Sequence, residues 1–214
     1  NRVLSAVYEP IFLESSYGYR PNKSPHDALS MVVRAQGNCL NGAVVEIDLR
    51  KYFDSVPHSP LLDFLSKKIS DRRFLGNIVK LMTGPVLGAD GNEIELEKGV
   101  PQGSILSPLL SNIYLHHVLD EWFESLKQSH FKYNCYQARF ADDVVWVFAS
   151  KIEAAKFMNT IPKRLAKFGL QMNVEKSSLQ VSGRFGVEKL LLAKGAMPKF
   201  KFLGFQLQWM KGLN

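Results

Sequence analysis

The amino-acid sequence predicts an α+β fold built around one hydrophobic core. Of the 214 residues, 46% are hydrophobic, which suffices for one core in a chain of this length. Apolar residues recur with helical spacing in several segments, and short apolar runs elsewhere predict strands. Turn residues join these strands into hairpins instead of regular strand–helix–strand units. This combination favours an α+β fold over a doubly wound parallel sheet.

Local patterns justify the elements of the first half. Ser24 followed by Pro25 is typical of a helix start, with serine at the cap and proline at the first position. Asp90-Gly91 between alternating apolar residues favours a hairpin turn. The predicted elements are a helix at 3–13, a helix from 25 to about 35, a buried strand at 43–49, helices at 57–66 and 71–82, and a hairpin around 90–91.

The second half alternates long helices with hairpins. Ser107 before Pro108 predicts another helix start, and Gly169 after an amphipathic segment is a common choice at a helix end. The predicted elements are a helix at 107–126, a hairpin at 132–149, a helix at 152–168, and strands near 177–181 and 200–208 that complete the sheet.

Two adjacent carboxylates, Asp142 and Asp143, lie at the rim of an apolar strand, and Asp48 follows another apolar run. Two like charges about 4 Å apart repel by roughly 4 kcal/mol at an effective dielectric near 20, so a cation would stabilise the arrangement. Oxygen ligands at strand ends suit Mg²⁺, and two such ions serve nucleotidyl transfer in polymerases. An Asp-Asp pair considered alone is more often a solvated hairpin tip. The three carboxylates together predict a polymerase palm.

Composition and charge say less than the carboxylates about the class of protein. The net charge of +7 favours a polyanionic partner, although a merely basic soluble protein would have the same balance. Cys39 and Cys135 show no disulfide or metal-binding spacing, so we expect a reducing cytoplasm. His116 and His117 are adjacent on a predicted helix and should point in different directions, which gives no ligand pattern. No apolar run is long enough to predict a membrane span.

Five segments, taken in order, resemble the palm motifs of reverse transcriptases, most closely those of the bacterial group II intron maturase type. The segments are 46–58, 99–115, 139–147, 168–178 and 201–205. One departure is Phe140, where that family usually has tyrosine before Ala-Asp-Asp. We expect the lost hydroxyl to tune the site without abolishing it.

The resemblance implies a metal site and a proton donor. Asp142 is implied as the principal ligand, Asp48 as a bridge between two Mg²⁺ ions, and the Leu49 carbonyl as a further oxygen. Asp143 is implied as the weaker ligand, and Mn²⁺ as a substitute ion. Lys176 resembles the lysine that helps to protonate departing pyrophosphate, although a surface lysine is more often simply solvated.

The resemblance also implies a deoxynucleotide site. The backbone amides of Lys51 and Tyr52 would face the triphosphate, and Gln102 would contact the nascent base pair or its sugar. Phe53 occupies the position that faces the incoming sugar, where its ring would exclude a ribose 2′-hydroxyl. The alternative for Phe53 is a core aromatic beside Tyr52.

Nucleic-acid contacts are implied at two further places. One set comprises Pro101 and Gly103 beside Gln102, and the other is the resembled primer grip: Phe202, Leu203 and Gly204. An apolar strand at 202–204 would equally be core. Arg20 is a candidate contact to template phosphate, or an arginine that stacks on its neighbours.

The resemblance implies a palm with an antiparallel sheet backed by helices, part of the fingers, and no thumb, so we expect a piece of a longer protein. The expected divisions are fingers at 1–42, palm at 43–60, fingers or palm helices and hairpin at 61–98, palm at 99–208, and the start of the thumb connection at 209–214.

The expected function is RNA-directed DNA polymerisation: transfer of dNTPs onto a primer 3′-hydroxyl. The partners would be an RNA template, a DNA primer, dNTPs and intron RNA, with no membrane, and a homodimer is left open. The alternatives are an RNA-binding maturase or splicing module that retains the polymerase core, and an RNA-directed RNA polymerase. Phe53 argues against the last of these, because such an enzyme must leave room for the 2′-hydroxyl.

Overall fold

The computed structural model describes residues 1–84, 86–87, 93–94, 98–101 and 103–209. Its helices are α1 (Arg2–Tyr8), α2 (Pro25–Asn38), α3 (Tyr52–Ser55), α4 (His58–Ser66), α5 (Arg72–Thr83), α6 (Ser107–Leu115), α7 (Glu121–Ser129), α8 (Lys151–Lys167) and α9 (Arg184–Leu192). A 3-10 turn covers Glu9–Ile11, and a π-helical turn, the π-segment, covers His116–Asp120. The strands are β1 (Gly42–Ile47), β2 (Val86–Leu87), β3 (Glu93–Ile94), β4 (Cys135–Phe140), β5 (Asp143–Phe148), β6 (Ser178–Ser182), β7 (Lys199–Phe202) and β8 (Phe205–Gln208).

The central sheet is antiparallel, with the strand order β4-β5-β1-β6. Val45 lies opposite Trp146 in the pairing of β1 with β5. Because successive strand residues face opposite sides, these two side chains point to one face, while Val44 and Val145 point to the other. Both pairs are buried, in two separate clusters. Coverage of both faces explains why β1 and β5 are nearly continuous apolar runs.

Helices cover one face of the sheet, and a helix with a hairpin covers the other. On the first face, Tyr8 of α1, Leu61 of α4 and Phe157 of α8 join the main cluster. On the second face, Val32 of α2 packs in the same cluster as Phe200 of β7. The site-bearing end of the sheet is therefore held between two packed layers.

The predicted start of α2 and end of α8 are confirmed. Ser24 accepts a hydrogen bond from the backbone N–H of Asp27, and the Asp27 carboxylate accepts one from the backbone N–H of Ser24, which completes a capping box. Helix α8 ends at Lys167, and Gly169 follows with a φ of +70°. This left-handed conformation is the one that favours glycine after a helix.

The predicted single helix at 107–126 is wrong in two respects. The π-segment interrupts it, and α7 then continues to Ser129. Ser107 is not the cap: it is the first helical residue, and its hydroxyl donates to the Pro101 carbonyl at 2.5 Å. A serine before proline thus anchors the preceding loop instead of closing the helix end.

Strand placement is confirmed at β6 but wrong at the last strands. β6 pairs with β1 in the central sheet, whereas β7 and β8 pair only with each other among the described residues. β2 and β3 pair as predicted, and the Asp90-Gly91 turn between them lies outside the described residues. Helix α9 was not predicted. Within the described part of the chain, no helix is both long and apolar enough to cross a membrane.

Candidate active site

The three predicted carboxylates meet at one end of the central sheet. Asp48 directly follows β1, and Asp142 occupies the turn between β4 and β5, with Asp143 as the first residue of β5. Asp48 and Asp143 line a cavity of about 420 Å³. Asp142 lies in the turn beside it, where its charge acts on the buried Tyr52 hydroxyl. Antiparallel pairing of β1 with β5 is what brings these chain segments together.

The three carboxylates lie close enough to repel one another, and a cation would stabilise them. Desolvation raises the pKa of the Asp142 carboxyl, and the negative charge of Asp48 raises it further, while hydrogen bonding to its own backbone N–H lowers it. The pKa of Asp143 is raised by desolvation, then by Asp142 and Asp48. Desolvation also raises the pKa of Glu46, which is two residues before Asp48. Crowded oxygen donors whose charge is this unfavourable fit a divalent ion, which would reverse these shifts.

The turn that carries Asp142 has an unusual backbone. Ala141 adopts a φ of +56°, a left-handed conformation that costs a residue with a side chain roughly 1–2 kcal/mol. Gly18 packs directly against it: a Cβ built on Gly18 would lie 2.3 Å from the Ala141 backbone nitrogen. The surrounding chain therefore holds the turn in a conformation that it would not adopt alone.

Arg139 is the main support of this turn. Its side chain is fully buried and forms a salt bridge with the equally buried Asp120, with donor–acceptor distances of 2.6, 2.8 and 3.1 Å. It also donates to Asn112 Oδ1 at 2.8 Å, to Ser16 Oγ at 2.8 Å and to the Ala141 carbonyl at 3.0 Å. These hydrogen bonds connect the turn that carries Asp142 to three other parts of the chain: the loop at Ser16, α6 and the π-segment.

Residues 171–173, inside the predicted 168–178 motif, are bonded to the chain segment that follows β1. The backbone N–H of Asn173 donates to the Asp48 carbonyl at 2.8 Å, and Leu49 forms a β-bridge with Met172. The Asp48 N–H donates to Ser177 Oγ at 3.1 Å. These bonds fix the position of Asp48 and of the Leu49 backbone beyond the end of β1.

A second cavity, of about 550 Å³, adjoins the first and is basic. It shares Asp48 and Lys176 with its neighbour, and Arg50, Lys51 and Lys98 also line it. Lys176 therefore lies between the carboxylates and the basic cavity. A carboxylate centre beside a cluster of cations is the arrangement that a metal-bound polyphosphate requires.

Of the predicted nucleotide-site residues, Lys51 lines this cavity, and Tyr52 and Phe53 follow it in the chain. Lys51 caps the short helix α3 in a left-handed conformation, and Tyr52 is the first residue of that helix. The Tyr52 side chain is buried, and its hydroxyl donates to the Ser111 carbonyl at 2.8 Å. Phe53 is half-buried, packs edge-on to Tyr52 and contacts the main core. Gln102 lies outside the described residues.

The other predicted contacts divide into wall residues and a structural residue. Leu203 and Gly204, at the β7–β8 tip, line the smaller cavity with the buried Phe202. Pro101 is half-buried and Gly103 exposed, both at the start of the loop before α6. Arg20 has a side chain only 5% exposed, and its guanidinium bonds Glu9 at 2.8 Å and two backbone carbonyls. This internal hydrogen-bonding role differs from the alternative offered by the sequence, which was stacking on the neighbouring residues.

Two groups of residues escaped the sequence analysis. One is the buried network of Arg139, Asp120 and Asn112; the signal was a charged residue facing inward within an apolar strand. The other is the pair His116 and His117, which the sequence analysis assigned to different helix faces. Their ring centroids lie 5.1 Å apart, and both rings approach Glu121.

Telomerases are among the solved structures that share this fold. The chain is similar to the telomerase of Candida tropicalis, with a TM-score of 0.73 and 15% identity over 97% of this chain and 43% of that one. It is also similar to the telomerase of Candida albicans, with a TM-score of 0.69 and 16% identity over 97% of this chain and 35% of that one. At this identity the likeness establishes the fold: a right-hand polymerase palm with part of the fingers.

Sequence relatives define the family more closely. Residues 1–207 match the family described as reverse transcriptase (RNA-dependent DNA polymerase), and the chain belongs to that family. It is 38% identical over 79% of its length to an uncharacterized 91 kDa protein in a cob intron of Schizosaccharomyces pombe. It is 39% identical over 58% of its length to the group II intron-encoded protein LtrA of Lactococcus lactis. The chain spans 20% of the length of each of these two relatives.

Proposed function

We propose that this chain forms the catalytic core of an RNA-directed DNA polymerase that extends a primer 3′-hydroxyl with deoxynucleotides. The observation that carries the proposal is the meeting of Asp48, Asp142 and Asp143 at one end of the sheet, beside a basic cavity. Family membership supports the reaction class, and the intron-encoded relatives support a group II intron or a related element as the source.

The carboxylates would hold the metal ions that the family implies. Asp142 is the proposed principal ligand and Asp48 the bridge, with the Leu49 carbonyl as a further oxygen and Asp143 as the weaker ligand. When bound, two Mg²⁺ ions, or Mn²⁺ in their place, would activate the primer hydroxyl and stabilise the leaving pyrophosphate. Arg139 would keep the carboxylates aligned for this by holding the Ala141 carbonyl.

The basic cavity would hold the triphosphate. The backbone amides of Lys51 and Tyr52, at the turn into α3, would face its oxygens, and the side chains of Arg50 and Lys98 would add positive charge. Lys176 lies between this cavity and the carboxylates, so its ammonium would donate a proton to the departing pyrophosphate.

Phe53 and the cavity walls would select and align the substrates. The half-buried Phe53 ring would occupy the space that a ribose 2′-hydroxyl needs, which favours DNA as the product. Gln102, with Pro101 and Gly103, would contact the nascent base pair. Phe202, Leu203 and Gly204 would support the primer end, and an RNA template would lie across the same surface.

A second candidate function, binding of intron RNA in a maturase role, follows from the relatives that introns encode. It is compatible with polymerase activity, because the net charge of +7 favours binding of either a template RNA or an intron RNA.

The proposed polymerase core also has proposed divisions. They are fingers at 1–42, palm at 43–60 and 99–208, and fingers or palm elements at 61–98.

Replacing Asp142 or Asp48 by Asn tests the polymerase proposal. Each change removes a metal ligand with little change in shape, so we expect primer extension with dNTPs to fall at least about a thousandfold, as for loss of a group central to transition-state stabilisation. RNA binding should stay within about twofold, because the substitutions leave the basic residues of the cavity in place. A twofold change in affinity corresponds to only a few tenths of a kcal/mol. Primer extension is measured in Mg²⁺ on the protein that contains this chain. Parallel reactions with dNTPs and NTPs compare the use of the two kinds of nucleotide.

The matched control is Asp63→Asn, which changes an exposed carboxylate on α4. It should extend primers at the wild-type rate. Near-wild-type extension by Asp142→Asn or Asp48→Asn would refute the metal assignment. Loss of RNA binding in step with extension would favour a binding role over catalysis.

A further inference from the structure

The π-segment brings together residues that a regular helix would separate. In an α-helix, residues four apart lie on one face, but a residue five positions away is turned aside. The hydrogen bonds of a π-turn join residues five apart, so positions four and five residues before a given side chain both approach it. His117 and His116 occupy these two positions relative to Glu121.

The geometry of these three side chains is compact. His117 Nδ1 lies 2.7 Å from Glu121 Oε2, and His116 Nε2 lies 3.5 Å from Glu121 Oε1. One ligand atom from each residue can be chosen so that all three lie within 4.8 Å of one another. Ligand atoms about 2.0–2.2 Å from a single ion fall within such a spread.

The protein holds both imidazoles rigidly while leaving the carboxylate open. His116 is 2% and His117 8% exposed. The Phe12 ring lies edge-on to His116 with centroids 5.5 Å apart, and the Phe64 ring packs against His117 at 4.6 Å. The Glu121 side chain is 53% exposed, which gives an ion a path from solvent.

A carboxylate also stands behind the cluster. Asp120 Oδ2 lies 3.9 Å from His116 Nδ1, the ring nitrogen that points away from Glu121. Among the described residues, neither His116 Nδ1 nor His117 Nε2 has a hydrogen-bond partner. A distance of 3.9 Å is too long for a hydrogen bond, so the imidazoles are oriented by their aromatic neighbours and not by the carboxylate bond that is common at metal-binding histidines.

We propose that His116, His117 and Glu121 form a binding site for a transition-metal ion of the Zn²⁺ type, with water as the fourth ligand. Two imidazoles and one carboxylate are a known zinc donor set, whereas Mg²⁺ prefers oxygen alone. The site is distinct from the Asp48 and Asp142 centre in both ligand type and position. Its ion would clamp the π-segment to the start of α7.

The charges facing the cluster bear on its affinity. Burial lowers the pKa of the His116 imidazole, while the negative charges of Asp120 and Glu121 act in the opposite direction. Arg164 of α8 places a positive charge beside the cluster, which disfavours a metal cation. Its guanidinium donates to the carbonyls of Val118 and His117 at 2.9 and 3.1 Å. The negative charge of Glu121 acts on this cation, whereas Asp120 is paired with Arg139.

Metal titration of the whole protein tests the site. In excess Mg²⁺, which saturates the catalytic carboxylates, isothermal titration with Zn²⁺ should show one more bound ion in the wild type than in Glu121→Gln. Loss of one of three ligands should weaken binding at this site at least tenfold. Co²⁺ as a spectroscopic probe should give visible d–d absorption typical of nitrogen and oxygen ligands, absent from the variant.

Matched variants separate binding from folding. Glu124→Gln removes the nearby carboxylate that pairs with Lys127 on the same helix, and it should keep wild-type Zn²⁺ binding. His117→Gln should lose the extra ion, and circular dichroism should show each variant folded. Equal Zn²⁺ stoichiometry and affinity in wild type, Glu121→Gln and His117→Gln would overturn the proposal. A thiolate charge-transfer band with Co²⁺ would overturn it too, by pointing to Cys39 or Cys135.

Discussion

Two hairpins border the proposed active site, and they are held in opposite ways. The β4–β5 turn rests on the fully buried Arg139, whose hydrogen bonds reach residues far away in the chain. The β7–β8 hairpin is attached mainly through Phe200 and Phe202, while Phe205 and most of β8 are exposed. The comparison teaches that the proposed metal-binding carboxylates are fixed by buried hydrogen bonds, whereas the β7–β8 hairpin is held mainly through one of its two strands.

Substituting Arg139 by Met should produce the largest effect. The change leaves the Asp120 carboxylate buried without its cation, a situation that typically costs about 3–5 kcal/mol. We expect the free energy of unfolding, measured in urea, to fall by that amount. Primer extension should be lost even below the melting temperature, because the Ala141 carbonyl loses its support.

The control for Arg139 is Arg184→Met, which breaks an exposed pair with Glu188 and should change stability by less than about 0.5 kcal/mol. The double variant Arg139→Met with Asp120→Leu should recover much of the stability, because no uncompensated charge remains. If Arg139→Met were as stable as the wild type, the buried network would not be what holds this hairpin.

Gly18→Ala probes the same turn from the opposite side, with a smaller expected effect. The new methyl group would lie 2.3 Å from the Ala141 nitrogen, so either the turn or the 16–18 loop must move. Overpacking of this kind typically costs about 1–3 kcal/mol. We expect a loss of that size in thermal or urea unfolding, together with a reduced rate of primer extension.

Gly76→Ala is the matched change at an open position in α5, where a Cβ would meet nothing within 4 Å. It should leave activity unchanged and raise stability by up to about 1 kcal/mol, because alanine is the better helix former. Equal stability and activity in the two alanine variants would show that the contact of Gly18 with the turn has no role.

Phe205→Ala addresses the weakly held hairpin and should have the smallest effect. Phe205 is 47% exposed, and among the described residues its one aromatic ring contact is edge-on to His26, at a centroid distance of 6.2 Å. We expect a stability loss below about 1 kcal/mol, as for most surface positions. Phe202, its cross-strand partner, is 3% exposed, and Phe202→Ala should instead cost about 3–5 kcal/mol. Similar losses in the two variants would mean that β8 is anchored as firmly as β7.

Much of the sheet and the carboxylate cluster could be predicted from local patterns. Apolar runs that end at Asp48 and begin after Asp142 identify strands whose ends carry charge, and antiparallel pairing brings such ends together. Capping chemistry that involves only nearby residues accounts for the start of α2 at Ser24 and the end of α8 before Gly169.

The features that escaped prediction depend on contacts between distant residues or on hydrogen-bond patterns that side-chain spacing does not reveal. The alternation at Phe200 and Phe202 indicates a strand but does not say which strand it pairs with. Helix α9 begins at Gly183 without a side-chain cap, so its start left no signal. The partners of Arg139 lie 19 residues away on the π-segment, 27 residues away on α6, and further still at Ser16.

The π-segment changes the angular positions of side chains along the long helix formed by α6, the π-segment and α7. Asn112 and Asp120 are eight residues apart, which in an unbroken α-helix would turn their side chains about 80° away from each other. One additional residue per turn in the π-segment absorbs most of that rotation, so the two positions behave as if they were seven apart, two full turns. Both side chains can then reach Arg139. A single inserted residue in a helix would thus set the alignment of the catalytic turn.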